Sequence, residues 1–237
     1  MKENEPKIDR TRHAVYTKAC REEIIKHIAA HYPEEQVDEV FETFQNRYAE
    51  YLNAWDEDLG GEKNFRNKGA GGTFDSIALL CLYSVCKDVI SVSELEEMET
   101  NLVLSTFKAL SKLRIANGNR AFIKKILYKS FTSAKKSGDQ YQDFVMKLYP
   151  FDKNKPIHYE FGTCPIVDFA KKFHLEEAMP AMCNADYPAM ACMRIKLIRP
   201  ETLAFSDKCD YSFVGDEELY AKEHPEYVDE NGFRRNR

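Results

Sequence analysis

No two cysteines in this chain are spaced as Cys-x-x-Cys, and no apolar run approaches the roughly 20 residues that span a bilayer. The first absence removes the main support for zinc-ribbon and thioredoxin-like readings. The second argues against a membrane partner. The opening stretch, MKENEPKIDR, is polar and has no apolar signal core, so the cytoplasm is the expected compartment. A basic stripe is also missing: 34 Lys and Arg face 39 Asp and Glu, both signs are interspersed, and the net charge is −5. Nucleic acid is therefore not an expected partner. There is no GK[ST] for a phosphate loop, no GxSxG nucleophile elbow and no HExxH.

What is present is an ordinary globular balance of 43% apolar and 31% charged residues over 237 positions, enough to bury a sizeable core. The seven cysteines are an odd number for a fully paired set, and a chain this long has no need of covalent staples. Reduced thiols follow, as core residues, ligands or nucleophiles. Texture divides the chain into a helical region at 1–150, an α+β region of the same domain at 151–214, and a loose polar tail at 215–237. A small molecule is the expected partner, and a homo-oligomer is compatible with the composition.

The helical half is read from period. Residues 11–31 carry Val15, Ala19, Ile25 and Ile28 on one face. Pro33, followed by Glu34 and Glu35, opens a second helix, with apolar positions from Val37 to Trp55 three and four apart. Residues 60–72 hold five glycines and read as a mobile connector, or as a lid. Residues 74–90 are apolar almost all round and predict a central helix. Ser93 and Glu96 have the spacing of a capping box for a helix that runs to Asn117-Gly118. Helical spacing returns at 120–137, ending at Gly138, and a shorter helix at 140–149 stops at Pro150.

Beyond Pro150 the period changes. Alternation of Ile157, Tyr159 and Phe161 predicts a strand. Pro165 starts a short helix at 165–174, and 176–192 is helical with a break near Pro188. Arg194–Phe205 and Cys209–Val214 read as two strands of a hairpin turned at Ser206-Asp207-Lys208. The fold expected is α+β: a helical N-terminal half packed on a small C-terminal antiparallel sheet that carries a cysteine cluster.

The residues with chemical potential lie in that last quarter. Cys164 precedes a helix start, where the positive dipole end favours thiolate. Cys183 and Asp186 are three apart, which on one helix gives a shared face. A carboxylate there can accept the thiol proton or hold a cation, although its charge also opposes thiolate formation. Cys209 and Asp210 are neighbours on a strand and so point to opposite faces. Cys209 is expected on the buried face with Tyr211 and Phe213. Zinc is the rival use of Cys164, Cys183 and Cys209, with His158 and His174 near in sequence, but the spacings of 19 and 26 residues lack the usual local pattern. No metal or other cofactor is assigned. Cys20, Cys81, Cys86 and Cys192 fall in helical patterns and read as small core residues.

The stretch from Tyr159 to Phe213 resembles the L-2-amino-thiazoline-4-carboxylic acid hydrolase family. That family has a cysteine before a short helix, a Cys-x-x-Asp segment, an Arg and a Thr-Leu-Ala strand, then Cys-Asp-aromatic. Here these are Cys164; Cys183 with Asp186; Arg199 and Thr202-Leu203-Ala204; and Cys209-Asp210-Tyr211 with Phe213. Ser206 stands where the family usually has glycine. The resemblance implies hydrolytic opening of a cyclic amidine to a carbamoyl-cysteine type product. Cys183 or Cys164 would attack, or a carboxylate would activate water. Asp186 or Asp210 would hold the amidinium, Arg199 would pair with the substrate carboxylate, and Asn184 would join it in substrate binding. The late-cysteine hairpin also looks like 4-vinyl reductase type domains, which implies a non-catalytic ligand- or metal-binding module as the alternative.

Overall fold

A computed structural model describes residues 5–66, 71–111, 117–141 and 143–237. Its contacts gather into two compact units, Met1–Leu102 with Pro165–Met182, and Val103–Cys164 with Cys183–Arg237. Among the described residues no helix is long and apolar enough to cross a membrane.

The first unit is helical. Helix α1 (Lys18–His31) begins later than the periodicity predicts, because Thr17 caps it by accepting from the Cys20 amide. Helix α2 (Glu34–Ala54) starts after Pro33 as expected and buries Phe41, Phe44, Tyr48 and Leu52. Within the glycine-rich stretch, Gly61–Arg66 form helix α3, so that part is not a connector; residues 67–70 lie outside the described residues. Helix α4 (Gly71–Cys86) is the central one, with every side chain from Phe74 to Leu82 buried. Its Asp75 accepts the Thr17 amide and hydroxyl at 2.6 and 2.8 Å, tying α4 to the start of α1.

Helix α5 (Val92–Ser111) begins with a capping box two residues earlier than predicted. Ser91 and Glu94 make the reciprocal bonds, which leaves Ser93 and Glu96 inside the helix. The expected end at Asn117-Gly118 follows five positions, 112–116, outside the described residues. Helix α7 (Pro165–Lys172) completes this unit and packs on α4, its Phe169 meeting Trp55 edge to face at 5.2 Å.

The second unit is built on an antiparallel sheet of β1 (Met146–Leu148), β2 (Ile157–Phe161), β3 (Ile195–Ile198) and β4 (Cys209–Gly215), in the order β1-β2-β4-β3. The register pairs Phe161 with Cys209, Tyr159 with Tyr211 and Ile157 with Phe213. Those six side chains share one face, while His158, Glu160, Asp210 and Ser212 share the other. Helix α6 (Ala121–Tyr141) sets Phe131 on the aromatic face, 4.9 Å from Tyr159 and 5.1 Å from Phe213.

Three expectations fail here, each for a physical reason. Helix α6 runs through Gly138, and the helix predicted at 140–149 is replaced by β1. Gly138 serves a close approach, since a Cβ there would collide with the Phe144 carbonyl oxygen. The strand predicted at 194–205 stops at Ile198. Pro200 has no amide to give, and the Arg199 amide donates to Asn236 Oδ1 rather than to a neighbouring strand. The hairpin is real, but its connection is the ten residues from Arg199 to Lys208.

The helical stretch at 176–192 divides into a 3-10 turn (Glu176–Ala178), α8 (Met179–Asn184) and α9 (Asp186–Ala191). The break comes at Ala185, not near Pro188.

The tail is ordered, not loose. Helix α10 (Leu219–Glu223) places Ala221 against Ile198 and Val214. Strands β5 (Glu226–Val228) and β6 (Arg234–Asn236) pair antiparallel around a turn in which Gly232 takes a φ of 86°. Phe233 and Asn236 are buried, which explains how so polar a segment holds its place.

Candidate active site

The centre of the C-terminal constellation is Arg199, whose side chain is 0% exposed. It follows β3, where the chain turns out of the sheet. Its Nη1 donates to the Cys183 carbonyl at 2.7 Å and reaches Asp186 Oδ2 at 3.4 Å, while Nη2 donates to the Arg234 carbonyl at 3.3 Å. Nε, also buried, has no hydrogen-bond partner among the described residues. The guanidinium lies over the rings of Tyr187 and Tyr211, at 5.1 and 5.8 Å. Burial works against its charge, but Tyr211, Cys183, Tyr187 and Asp186 outweigh that and hold its pKa above the ordinary value. The group is a fixed buried cation that positions the backbone of α8 and the first side chain of α9. A solvent-facing fork for a substrate carboxylate, as the resemblance implies, is not what the structure provides.

Asp186 receives a second bond from the Tyr211 hydroxyl at 3.0 Å. Its side chain is 44% exposed, yet protein crowds it closely enough that desolvation raises its pKa against the pull of Arg199 and Tyr211. Asp186 therefore combines access to solvent with a raised affinity for protons, the properties of a general base.

Two thiols meet at Thr202. Its hydroxyl oxygen is 3.8 Å from Cys183 Sγ and 3.5 Å from Cys209 Sγ, and the Leu203 amide donates to Cys209 Sγ at 3.2 Å. Cys183 is half-buried, and Cys209 and Thr202 are buried behind it. Burial pushes the Cys183 thiol up to about 11, with Arg199 and Thr202 pulling down and Cys209 and Asp186 pushing up. At neutral pH on the order of one molecule in ten thousand then carries the thiolate. Burial raises Cys209 as well. Attack by Cys183 thus requires that its proton be taken during the reaction.

The sheet separates these groups from Asp210. As the strand alternation predicts, Cys209 lies with Tyr211 and Phe213, and Asp210 points to the other face. There it accepts from His158 Nε2 at 3.0 Å and lies 3.6 Å from Lys208 Nζ. His158 stacks on Tyr149 with ring centroids 4.3 Å apart. Ligand atoms of His158, Glu160 and Asp210 lie within 4.8 Å of one another, which is the spacing a metal site needs. The ammonium of Lys208, 2.6 Å from Glu160, already supplies the positive charge at that spot. We assign no metal ligands there.

The remaining expectations divide. Cys164, half-buried, stands directly before α7, and none of the contacts above involves it. Asn184 is buried: its Nδ2 donates to the Gly232 carbonyl at 2.9 Å and its Oδ1 accepts the Arg234 amide at 2.8 Å. Both ends of the amide clasp the β5–β6 hairpin. Cys183 and Asp186 stand on either side of the α8–α9 break rather than on one helix, and Arg199 Nη1 reaches both, at the Cys183 carbonyl and at Asp186 Oδ2. Cys20, Cys81 and Cys86 are buried core residues as read, and Cys192 is half-buried.

Sequence reasoning passed over Tyr187, whose hydroxyl donates toward the Arg234 carbonyl at 3.0 Å and lies 3.1 Å from Asn236 Oδ1. It also passed over Asn236 and the part Tyr211 plays at Asp186. The available signal was the tyrosine next to Asp186 and the one next to Asp210, two aromatic hydroxyls adjoining the acids already singled out.

Comparison with curated proteins and with solved structures yields no match. The model of one family does match, over residues 77–213, more than half of the chain and including Cys164, Cys183, Asp186, Arg199, Thr202 and Cys209. The chain belongs to the L-2-amino-thiazoline-4-carboxylic acid hydrolase family.

Proposed function

We propose that this protein hydrolyses a carbon–nitrogen bond in a small cyclic amidine acid of the 2-amino-thiazoline-4-carboxylate type. The observation that carries the reading is that one buried guanidinium, Arg199, reaches the part-exposed Asp186 carboxylate and also holds the backbone carbonyl of Cys183, whose half-buried thiol lies beside Thr202. The amidine carbon lies between nitrogen and sulfur and becomes more electrophilic when the ring nitrogen is protonated. Asp186 takes the Cys183 proton as sulfur adds to that carbon. The carbon–nitrogen bond of the ring then breaks, and the proton held by Asp186 goes to the departing amine. Water, deprotonated by Asp186, adds to the same carbon and expels the Cys183 thiolate, which recovers its proton. The sum is one water added and a carbamoyl group left on the cysteine sulfur of the product. Seven cysteines with no disulfide recorded among them suit a reducing compartment, which supports a cytoplasmic setting.

The test is turnover of L-2-amino-thiazoline-4-carboxylate by the purified chain, followed by mass spectrometry and by separate assays for free amine and free thiol. Product with a new amine and no new thiol is expected; a new thiol would mean that the ring carbon–sulfur bond breaks instead. Cys183→Ala should lose about a thousandfold or more in kcat. Turnover that survives this change removes Cys183 from the chemistry, and no turnover by the unaltered chain sinks the substrate assignment.

A further inference from the structure

The hydrogen-bond capacity of Thr202 assigns different parts to the two thiols beside it. A threonine hydroxyl has one hydrogen to give and two lone pairs with which to accept. The Cys209 thiol donates to Thr202 Oγ1 at 3.5 Å, and the Ala204 amide donates to the same oxygen at 3.5 Å. Both lone pairs are then engaged. The one remaining polar neighbour among the described residues is Cys183 Sγ at 3.8 Å, a contact in which either atom can be the donor, and it takes the hydroxyl hydrogen. Cys209 Sγ is in turn fed by the Leu203 amide at 3.2 Å. A one-way chain results: Leu203 amide to Cys209, Cys209 to Thr202, Thr202 to Cys183. Cys209 keeps its proton in order to donate it, and Cys183 is the terminal acceptor, the place where negative charge is stabilised.

We infer that Thr202 is the positioning residue that selects Cys183, and not Cys209, as the thiol that ionises, through a hydroxyl hydrogen directed at the Cys183 sulfur. The inference rests on the site reading above and deepens it. Thr202 is 1% exposed and cannot itself meet substrate, so it acts through Cys183. The charged and titratable groups around Cys183 are consistent with this direction. Burial works against charge on that sulfur, and Cys209 and Asp186 oppose it as well, while the Arg199 cation, which holds the Cys183 carbonyl, favours it. Without the hydroxyl, Arg199 alone would be left to offset burial and those two unfavourable neighbours.

The test needs no substrate. The full chain is alkylated with iodoacetamide across the alkaline range, and the modification of each cysteine is followed by mass spectrometry of its peptide. Cys209 is 6% exposed and reacts slowly for reasons of access, so the inflection of each profile is read rather than its height. In the unaltered chain Cys183 should inflect at lower pH than Cys209. Thr202→Val should move the Cys183 inflection up by about one pH unit, a tenfold slower reaction at fixed pH below it. Thr202→Ser, which keeps the hydroxyl, should restore it, whereas a residue that merely fills space would be poorly replaced by Ser. A Cys209 inflection below that of Cys183, or an unmoved Cys183 profile in a natively folded Val variant, overturns the inference. If the Val variant loses its native circular dichroism, the order of the two inflections in the unaltered chain decides alone. Because turnover is not measured, failure of the substrate assignment leaves this result standing.

Discussion

Replacing Arg199 by methionine distinguishes a buried scaffold cation from a substrate clamp. Methionine has a similar reach and an apolar stem, so little volume is lost and the change acts mainly on polar partners. Two carbonyls, of Cys183 and Arg234, lose a cationic donor. Hydrogen bonds to charged groups contribute about 1.5–3 kcal/mol each. The ion pair with Asp186 adds little, because that carboxylate is 44% exposed and water can replace the guanidinium. Removing an unfavourably buried charge gives some of this back. The expected net loss is about 3–5 kcal/mol, a large share of a typical domain's stability. Urea unfolding followed by far-ultraviolet circular dichroism measures it. Arg199→Lys should fall between the two, since an ammonium keeps the charge but cannot span both carbonyls and the carboxylate. A methionine variant within about 1 kcal/mol of the unaltered protein, with only KM raised, would refute the scaffold reasoning and reinstate Arg199 as the group that holds the substrate acid.

Two further outcomes are expected. Burial pushes the Asp75 carboxyl from 3.8 up to about 6, so the folded chain binds a proton there between those values and the unfolded chain does not. This group's contribution therefore favours folding at low pH and is lost as pH rises through about 6, a change of about 2 kcal/mol between pH 4 and 7. Asp75→Asn should flatten that part of the stability profile; an unchanged slope in urea titrations at the two pH values would contradict it. Asp210→Asn, on the opposite sheet face from Cys183, should leave kcat within about threefold and cost about 1 kcal/mol through its ties to His158 and Lys208. A thousandfold fall in kcat would place Asp210 in the chemistry after all.

How far the sequence reveals this molecule depends on which kind of signal each part carries. Amphipathic period places α2 and α4 because their buried residues recur at the helical repeat, and Pro33 marks a start that no tertiary contact overrides. Strand alternation correctly divides Cys209 from Asp210. Period fails where a contact outside the local repeat decides. The Phe144 carbonyl oxygen packs against Gly138 inside α6, where glycine alone reads as a stop, and Asn236 captures the Arg199 amide just beyond β3. The C-terminal hairpin carries almost no apolar alternation, yet Asn231-Gly232 is a strong local turn signal that a search for hairpins would have used. In the candidate site, the family motif supplies Cys183, Asp186, Arg199 and Cys209. Their roles are not in the motif, because they depend on which carbonyl, hydroxyl or ring each side chain reaches after folding. Asn184 and Arg199 look like ligand-binding residues in one dimension, and in three both fasten backbone: Asn184 at Gly232 and Arg234, Arg199 at Cys183 and Arg234.

The β5–β6 hairpin has a practical consequence for anyone who trims the gene. The segment that matches the family ends at residue 213, but Asn184, Tyr187 and Arg199 all take partners from residues 232–236. An expression fragment cut at the family boundary would contain every letter of the motif and lack the clasp that shapes it. An inactive fragment of that kind would report on the missing hairpin and not on the reaction.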